Sequence, residues 1–392
     1  MNLGELLKKY KEHPRLFYLA ERLSFADSQK IFLKNLQGSS AEFVLAALFD
    51  KYQNDKSNNA STHLVVLNDA EEAAYFHNTL ENLTQALNLF YFPSSFKNKK
   101  DFRQLNSSHV MLRTEALTKL SVSSSGIIIT YPEALFEKVV LSKTLSSNII
   151  HIKTNDTLNL DSLLELFVMY GFERTDFVYE PGQFAIRGGI LDIYSFGNEK
   201  PYRVELFGND VDSIRIFDPE SQLSERKLLQ VSIIPNVETQ FESDDKISLL
   251  EFLDEKAVVW IKDWDVIKQV INEQEEQLGD YIEHNKTSVL KDEDIDDDTT
   301  ILKNVKLKDF VPASTLERQI NDHHLVEFGY KPHLSNFEIE LNTKPQPAFN
   351  RQFDLLIKDL KSHESKGYDL YVFAEQAKQL ERLNTIFNDL NT

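Results

Sequence analysis

Residues 180–218, EPGQFAIRGGILDIYSFGNEKPYRVELFGNDVDSIRIFD, constrain the fold of this chain more than any other stretch. They contain four runs with the composition of β-strands, at residues 184–187, 190–194, 202–207 and 213–217. Gly208-Asn209-Asp210 separates the last two runs and is a hairpin signal. Between residues 202 and 206, apolar residues alternate with Arg203 and Glu205. This alternation predicts an antiparallel sheet with one packed face and one polar face.

The polar face of this sheet changes its residue parity at Gly188-Gly189. Before the glycine pair the charged residue Arg187 is odd-numbered, and after it Asp192 and Tyr194 are even-numbered. A bulge of one extra residue at the pair, with glycine supplying an unusual φ, would produce this change. We therefore expect Arg187, Asp192 and Tyr194 to share one exposed face. The alternative is an ordinary sheet with a solvated outer face.

Length and composition place the chain among multi-domain globular proteins. Its 392 residues are long for one hydrophobic core, and 41% hydrophobic with 27% charged residues is a globular balance. The sequence contains no long uncharged apolar run and no signal-peptide core at its N-terminus. The absence of Cys excludes disulfides, thiol catalysis and Cys-ligated zinc. Together these features predict a cytoplasmic protein without a membrane segment.

The net charge of −19, from 43 basic and 62 acidic residues, opposes binding to nucleic acid. Proteins that bind DNA through its phosphates need a basic surface. The densest basic cluster, Lys97-Asn98-Lys99-Lys100, is short and typical of a solvated loop. The charge therefore favours a protein partner.

Residues 1–134 have the pattern of an α/β lobe. Buried-strand runs at 63–67, 89–92 and 126–130 alternate with a helical segment at 70–87 and a helix start at Pro132. Strands that alternate with helices indicate a parallel sheet. Residues 135–218 then form the mainly antiparallel α+β domain that contains the four strand-like runs.

The rest of the chain divides into a second lobe and a small C-terminal unit. We assign residues 219–340 to a second α/β lobe, with a strand at 257–260, a helix at about 263–277 and an acidic loop at 291–298. Residues 344–350 contain two prolines and are typical of a linker. A small α/β domain is predicted at 350–392, with helices at 353–360 and 375–390 around a strand at 368–373.

No spacing of ligand-type residues indicates a metal site. The alternating carboxylates between Asp292 and Asp298 resemble a calcium loop, but the sixth position lacks Gly and the twelfth lacks Glu. His323-His324 has no spaced partner His or Cys. We therefore expect neither a bound metal nor a catalytic residue.

Short motifs between residues 170 and 222 occur in the order and spacing of one protein family. They are YGFERTD at 170–176, EPG at 180–182, RGGILDIY at 187–194, YRVELFG at 202–208 and FDPESQ at 217–222. The segment resembles the second domain of the transcription-repair coupling factor family, Mfd, and of its repair relative UvrB. Weaker similarity runs along most of the chain, which therefore resembles the N-terminal part of Mfd, including its small third domain.

This resemblance implies two P-loop-NTPase-like α/β lobes with a degenerate nucleotide site, at 1–134 and 219–340, and an inserted domain at 135–218. In the family the inserted domain docks on UvrA, the damage-recognition ATPase of nucleotide excision repair, through basic residues. Arg174 and Arg187 match two of these residues, whereas a third position is Ala185 here. Asp192 and Tyr194 complete the predicted UvrA-binding set because we expect them on the face of Arg187.

The resemblance also implies which partners this chain does not reach by itself. In Mfd the RNA-polymerase-binding domain and the translocase motor lie in later parts that have no match here. We therefore expect this chain to be a fragment. RNA polymerase and DNA are expected to bind only domains that are absent from it. The long aromatic hairpin with which UvrB clamps DNA has no counterpart between residues 92 and 112.

Gly38-Ser39-Ser40-Ala41-Glu42 stands where the nucleotide-binding relative has its phosphate loop. A working loop needs Gly-Lys-Ser/Thr: backbone amides wrap the phosphates, Lys neutralises them and the hydroxyl holds magnesium. Here Ala41-Glu42 replaces Lys-Ser/Thr, which puts a negative charge against the phosphates. We expect a degenerate turn and no cofactor.

The sequence thus predicts a non-catalytic, UvrA-recruiting module of a transcription-repair coupling factor. Two alternatives stay open. One is an ATP-dependent, UvrB-like DNA-damage helicase, and the other is a scaffold whose sheet docks only on missing domains of its own chain.

Because the phosphate-loop cation is missing, we expect no useful binding of Mg-ATP in isothermal titration and no magnesium-dependent turnover. A dissociation constant in the low micromolar range, or measurable hydrolysis, would contradict the degenerate site.

Duplex DNA is expected to bind equally poorly, because the chain has a large negative net charge. Submicromolar, salt-sensitive binding of duplex DNA would instead reveal a local basic groove.

Overall fold

The computed structural model of the chain describes residues 3–54, 62–84, 88–98, 100–122, 125–287, 305–350, 352–372, 374 and 376–390. The chain divides into two compact units, Met1–Thr343 and Lys344–Thr392. Among the described helices, none combines the length and the apolar composition that crossing a membrane requires. The acidic loop predicted at 291–298 lies outside the described residues.

Helices account for much of both units. In the described residues they are α1 (Leu3–Lys11), α2 (Pro14–Leu23), α3 (Ser40–Asn54), α4 (Ala70–Leu83), α5 (Ser107–Val122), α6 (Pro132–Phe136), α7 (Ser142–Ser147), α8 (Leu160–Met169), α9 (Leu249–Phe252), α10 (Trp264–Thr287), α11 (Ala313–Ile320), α12 (Phe353–Glu364) and α13 (Ala377–Leu390). Local chemistry sets several of their starts. The Asp69 side chain accepts a hydrogen bond from the Glu72 backbone N–H at 2.8 Å and caps α4, and Pro132 opens α6 as predicted.

The described strands all lie in the first unit. They are β1 (Lys30–Lys34), β2 (Thr62–Val66), β3 (Leu89–Tyr91), β4 (Phe96–Asn98), β5 (Asp101–Leu105), β6 (Gly126–Thr130), β7 (Val139–Val140), β8 (Ile150–Lys153), β9 (Glu173–Arg174), β10 (Gln183–Arg187), β11 (Ile190–Ile193), β12 (Tyr202–Phe207), β13 (Asp210–Phe217), β14 (Ser224–Leu228), β15 (Gln230–Ile233), β16 (Lys246–Ile247), β17 (Val258–Lys262), β18 (His324–Phe328) and β19 (Phe337–Glu340).

The largest sheet is parallel, and in the described residues its order is β19-β1-β18-β17-β2-β6-β3. Its central strands are near-continuous apolar runs because helices cover both faces; every residue of β2 and β6 is buried. The strands predicted at 63–67, 89–92 and 126–130 are confirmed as β2, β3 and β6, each shifted by at most one residue. Strands from 1–134 and from 219–340 interleave, so the two predicted lobes share one sheet.

A second sheet, with order β14-β13-β12-β11-β10-β9, is antiparallel except for the β9–β10 pair. Two short antiparallel ribbons join the chain segments before and after this sheet: β7 pairs with β16, and β8 pairs with β15. The chain segments that enter and leave this domain therefore hydrogen-bond to each other. The mixed α/β architecture with an inserted antiparallel domain agrees with the sequence prediction.

The bulge predicted at Gly188-Gly189 is wrong. The two glycines form a two-residue hairpin turn, in which Arg187 pairs with Ile190 and Ala185 pairs with Asp192. The two residues that flank a two-residue turn are three positions apart, so an odd-numbered residue of β10 pairs with an even-numbered residue of β11. This pairing explains the change of parity without an inserted residue. The bulge lies instead between β12 and β13, where the register shifts after Glu205.

The second unit, Lys344–Thr392, contains α12 and α13. The helices predicted at 353–360 and 375–390 are confirmed. The predicted strand at 368–373 is wrong over its described residues 368–372, which form neither strand nor helix. An apolar run becomes a strand only beside another strand that takes up its backbone hydrogen bonds, and the described part of this unit offers none.

We expect the free energy of unfolding to fall as pH drops below 6.5, because His63 is buried in the neutral form. It accepts a hydrogen bond from Trp260 Nε1 at 3.0 Å, and burial lowers its pKa to about 3. The unfolded chain binds a proton below pH 6.5 that the folded chain does not, so the contribution is complete above pH 6.5 and declines toward pH 3. The slope is about 1.4 kcal/mol per pH unit.

Urea denaturation at pH 6.5 and pH 5 measures this effect. The wild type should lose about 2 kcal/mol more over that interval than His63→Gln, which keeps an acceptor for Trp260. Substitution of the exposed His151 by Gln is the matched control and should keep the wild-type slope. Equal slopes for the wild type and His63→Gln would contradict the assignment.

Candidate functional site

The antiparallel sheet β9–β14 has one face toward the main core and one face that carries most of its charges. The core face presents Phe184, Leu191, Val204 and Ile214, which are all buried. On the other face one row crosses the sheet through paired positions. It runs Ala185, Asp192, Arg203, Arg215 and Lys227.

Asp192 is the centre of an ion-pair network on this face. Its carboxylate is fully buried and accepts from Arg203 Nε at 2.7 Å and Arg203 Nη2 at 2.9 Å, a bidentate pair. Arg187 Nη2 also donates to Asp192. Hydrogen bonding to Asp192 raises the pKa of Arg203, which also lies 4.5 Å from the Phe217 ring centroid. Arg187 and Arg203 therefore both pair with the one buried carboxylate of Asp192.

Arg187 is shared between the sheet and the loop that follows β9. Besides Asp192, it donates through Nη1 to the backbone carbonyl of Asp176, and its guanidinium lies 4.6 Å from the Phe177 ring centroid. Its side chain is 35% exposed, so part of the guanidinium reaches solvent. Arg187 thus fastens the loop to the sheet and remains accessible from outside.

Asp192 and Tyr194 are not on an exposed face, contrary to expectation. Tyr194 is 7% exposed and donates to the Glu199 carbonyl, and burial raises its pKa. It packs in a small apolar cluster on the charged side of the sheet, formed by Val178, Ala185, Tyr194 and Phe217. The segments before β10 and after β13 fold over this face and cover it. Arg187 and Asp192 do share a face, but Asp192 positions arginines and does not reach a partner.

Arg174 lies on the opposite side of the sheet from Arg187. β9 runs parallel to β10 with Arg174 opposite Phe184, and the Phe184 ring packs 5.5 Å from that of Phe167 in α8. The exposed Arg174 side chain therefore borders α8. A groove of about 360 Å³ at this border is lined by Leu164, Glu165, Val168, Arg174 and Phe184. The two arginines are brought to one edge of the sheet, and β9 separates them.

The turn at residues 36–40 joins β1 to α3 at the carboxyl edge of the parallel sheet. Gly38 has a φ of +55°, the Gln37 N–H donates to Ser40 Oγ at 2.8 Å, and Ser40 is buried. The Ser40 hydroxyl thus closes its own turn. Burial raises the pKa of Glu42, and the charges of Lys262 and Glu72 act on it. Degeneracy of a phosphate site here stays a prediction.

Sequence reasoning missed Arg203 and Phe177. Strand alternation placed Arg203 on the polar face, but nothing local pairs it with Asp192. Phe177 follows the matched YGFERTD motif, and an aromatic residue next to a predicted arginine site was an available signal for a stacking partner. Its ring is 47% exposed beneath the Arg187 guanidinium.

The domain that carries both arginines is similar to a known family. Residues 150–238 match the UvrB interaction domain family. Transcription-repair-coupling factors match longer stretches: that of Bacillus subtilis is 29% identical over 209 residues, which is 52% of this chain and 17% of the relative. That of Borreliella burgdorferi is 33% identical over 135 residues, 34% of this chain and 12% of the relative. That of Staphylococcus haemolyticus is 20% identical across 93% of this chain and 34% of the relative.

This chain resembles the N-terminal region of a transcription-repair-coupling factor. It spans about a third or less of the length of these relatives. The region that matches the UvrB interaction domain begins at β8 and ends at Glu238, so it contains the whole antiparallel sheet together with α8. Arg174, Arg187, Asp192 and the groove beside α8 all lie inside it.

We expect Asp192→Ala to destabilise the domain at residues 150–238 by about 3 kcal/mol, because it leaves the mostly buried Arg203 guanidinium without a carboxylate and with only the Gln222 carbonyl as acceptor among the described residues. Asp192→Asn should cost less, since the amide oxygen still accepts from Arg203. Asp212→Ala, at an exposed position in β13, is the control and should stay within about 0.5 kcal/mol of wild type. Chemical denaturation measures all three, and a neutral Asp192→Ala would show that solvent screens the network.

Proposed function

We propose that this chain docks on UvrA through the surface around β9 and has no catalytic activity of its own. In this role it would recruit UvrA in transcription-coupled nucleotide excision repair. The match of residues 150–238 to the UvrB interaction domain supports the proposal, as does the resemblance to transcription-repair-coupling factors. RNA polymerase and DNA would be reached through other parts of a longer protein.

One observation carries the assignment to this surface: Arg174 and Arg187 both reach solvent at the same sheet edge. Arg174 is exposed, and no ion pair engages its guanidinium within the described residues. The salt bridge to Glu173 or Asp176 that would make it structural is absent from that part of the chain. A solvent-facing guanidinium on a short rigid strand has five donors available for a partner's carboxylates and carbonyls.

The contacts of Arg187 favour a mixed role for this residue. Its pairing with Asp192 and Asp176 is what a structural arginine makes, and this favours the scaffold alternative for Arg187 alone. The same contacts also hold the guanidinium in one position before a partner arrives. Preorganisation lowers the entropy lost on binding. Arg187 would then contribute to both folding and docking, and Arg174 to docking only.

The acidic character of the whole chain and the chemistry at residues 38–42 support a non-catalytic module. In the expected alignment with a phosphate loop, Ala41 takes the position of the phosphate-binding lysine and Glu42 that of the Ser/Thr, and the charges of Lys262 and Glu72 act on Glu42. Lys262 is itself ion-paired with Glu72, so that cation is already engaged. An ATP-dependent helicase activity finds no support in this arrangement.

We expect Arg174→Ala to weaken binding to UvrA by roughly 1–4 kcal/mol while leaving the unfolding free energy within about 0.5 kcal/mol of wild type. Arg187→Ala should weaken binding by a similar amount and also lower stability, because it removes one of the two cations on Asp192. Isothermal titration with purified UvrA and thermal denaturation measure the two effects.

Arg226→Ala provides the matched control for these variants. Arg226 is an exposed arginine on β14, at the far edge of the same sheet, and has no ion pair within the described residues. Its removal should leave UvrA affinity unchanged. A folded Arg174→Ala, Arg187→Ala double variant that binds UvrA as tightly as wild type would refute the assignment.

A further inference from the structure

Helix α8 leaves apolar side chains uncovered on its outer face. Its inner face buries Leu163 and Phe167 against the sheet. On the outer side, Val168 is 62% exposed and Met169 is 65% exposed, next to the partly buried Leu164. A helix that is apolar on both faces is normally covered on both faces, so this exposure marks a contact surface.

The uncovered face of α8 forms one wall of the groove that Arg174 borders. Leu164 and Val168 stand one helical turn apart along this wall, and Arg174 of β9 stands at its rim. The groove thus offers apolar contact beside a single exposed cation. Because no ion pair engages Arg174 in the described residues, its guanidinium is available to a carboxylate of another molecule.

The groove adjoins, at Arg174, the surface proposed above to dock UvrA. The chain passes from Arg174 through residues 175 and 176 to Phe177, which is half-exposed beneath Arg187. A partner that contacts Arg187 on one side of β9 needs only to extend past this two-residue strand to reach α8. One partner can therefore contact Arg187 and occupy the groove at the same time.

We propose that the groove between α8 and β9 receives an aliphatic side chain of the docking partner, next to a carboxylate that pairs with Arg174. The inference rests on the proposed function and specifies the chemistry that the partner presents. The aliphatic side chain packs against Leu164 and Val168, where water is now in contact with both. The adjacent carboxylate accepts hydrogen bonds from the guanidinium, as arginine–carboxylate pairs do. The partner thus contacts both sides of the sheet at this edge.

Val168→Asp tests the apolar part of the groove. It should lower affinity for purified UvrA at least tenfold, because it places a charge where an aliphatic group packs and a negative charge beside the incoming carboxylate. Val122→Asp makes the same change at an 87% exposed valine at the end of α5 and should change affinity less than twofold. Val168→Ala should leave folding intact because the position is exposed, and it should still lower affinity about threefold.

Glu165→Gln tests the sign of the partner's charge. Glu165 lines the same groove, so its negative charge opposes an incoming carboxylate. Removing that charge should raise UvrA affinity about twofold and should have no such effect in an Arg174→Ala background. A clear loss of affinity in Glu165→Gln would mean that the partner presents a basic group and would overturn the proposal.

The outcomes separate this inference from the proposed function. If the wild-type chain does not bind UvrA, the proposed function fails, and this inference fails with it. If the wild type binds and Arg187→Ala weakens binding, but Val168→Asp binds like wild type, docking stands and the groove proposal alone is overturned. Circular dichroism spectra and melting temperatures that match the wild type are required of each variant.

Discussion

The buried guanidinium of Arg113 is the interaction on which the arrangement of the first unit depends. Arg113 is fully buried; its Nε lies 2.6 Å from Glu238 and its Nη2 lies 3.5 Å from Glu137. Burial by itself would lower the pKa of Arg113, but the two carboxylates outweigh it and the net shift is upward. Glu238 ends the region that matches the UvrB interaction domain, whereas Arg113 belongs to a helix beside the parallel sheet. This network therefore joins the root of the inserted domain to the lobe that carries it. Loss of one partner would leave a charge buried without compensation, at a cost of about 3–5 kcal/mol.

The inverse arrangement, one buried carboxylate between two arginines, occurs at Asp192 inside the inserted domain. There it determines where a functional side chain points. Asp192 orders Arg203 completely and Arg187 in part, because the Arg187 guanidinium still reaches solvent. A long, flexible side chain is thereby kept in one position, and less conformational entropy remains to be lost when a partner binds. In the proposed docking, Arg187 would contribute to both stability and binding, whereas Arg174, which lacks an ion pair among the described residues, would contribute to binding alone.

The edge position of β9 explains how two arginines on opposite sides of a sheet can serve one partner. β9 has two residues and pairs only with β10, so little backbone stands between the two sides. Exposed edge strands invite uncontrolled pairing, and short length with charged residues is a common protection. Glu173 and Arg174 provide both features here. The edge that avoids aggregation is thus also the edge where charged groups and the apolar face of α8 are accessible together.

The sequence by itself determined the type and order of elements wherever local pattern decides them. The buried strands β2 and β6 and the Gly208 hairpin follow from periodicity and turn chemistry, which act over a few residues. The motifs at 170–222 carry the resemblance to the UvrB interaction domain. Only the tertiary structure decided the partners of the site residues. The connection of residues 194–201 between β11 and β12 does not set a register, so the pairing of Asp192 with Arg203 had no local signal. Nor did the sequence show that α8 packs beside β9 and takes Arg174 to the far side of the sheet. Side-chain contacts of this kind depend on segments that are distant in the chain, and their geometry exists only once the sheet has formed.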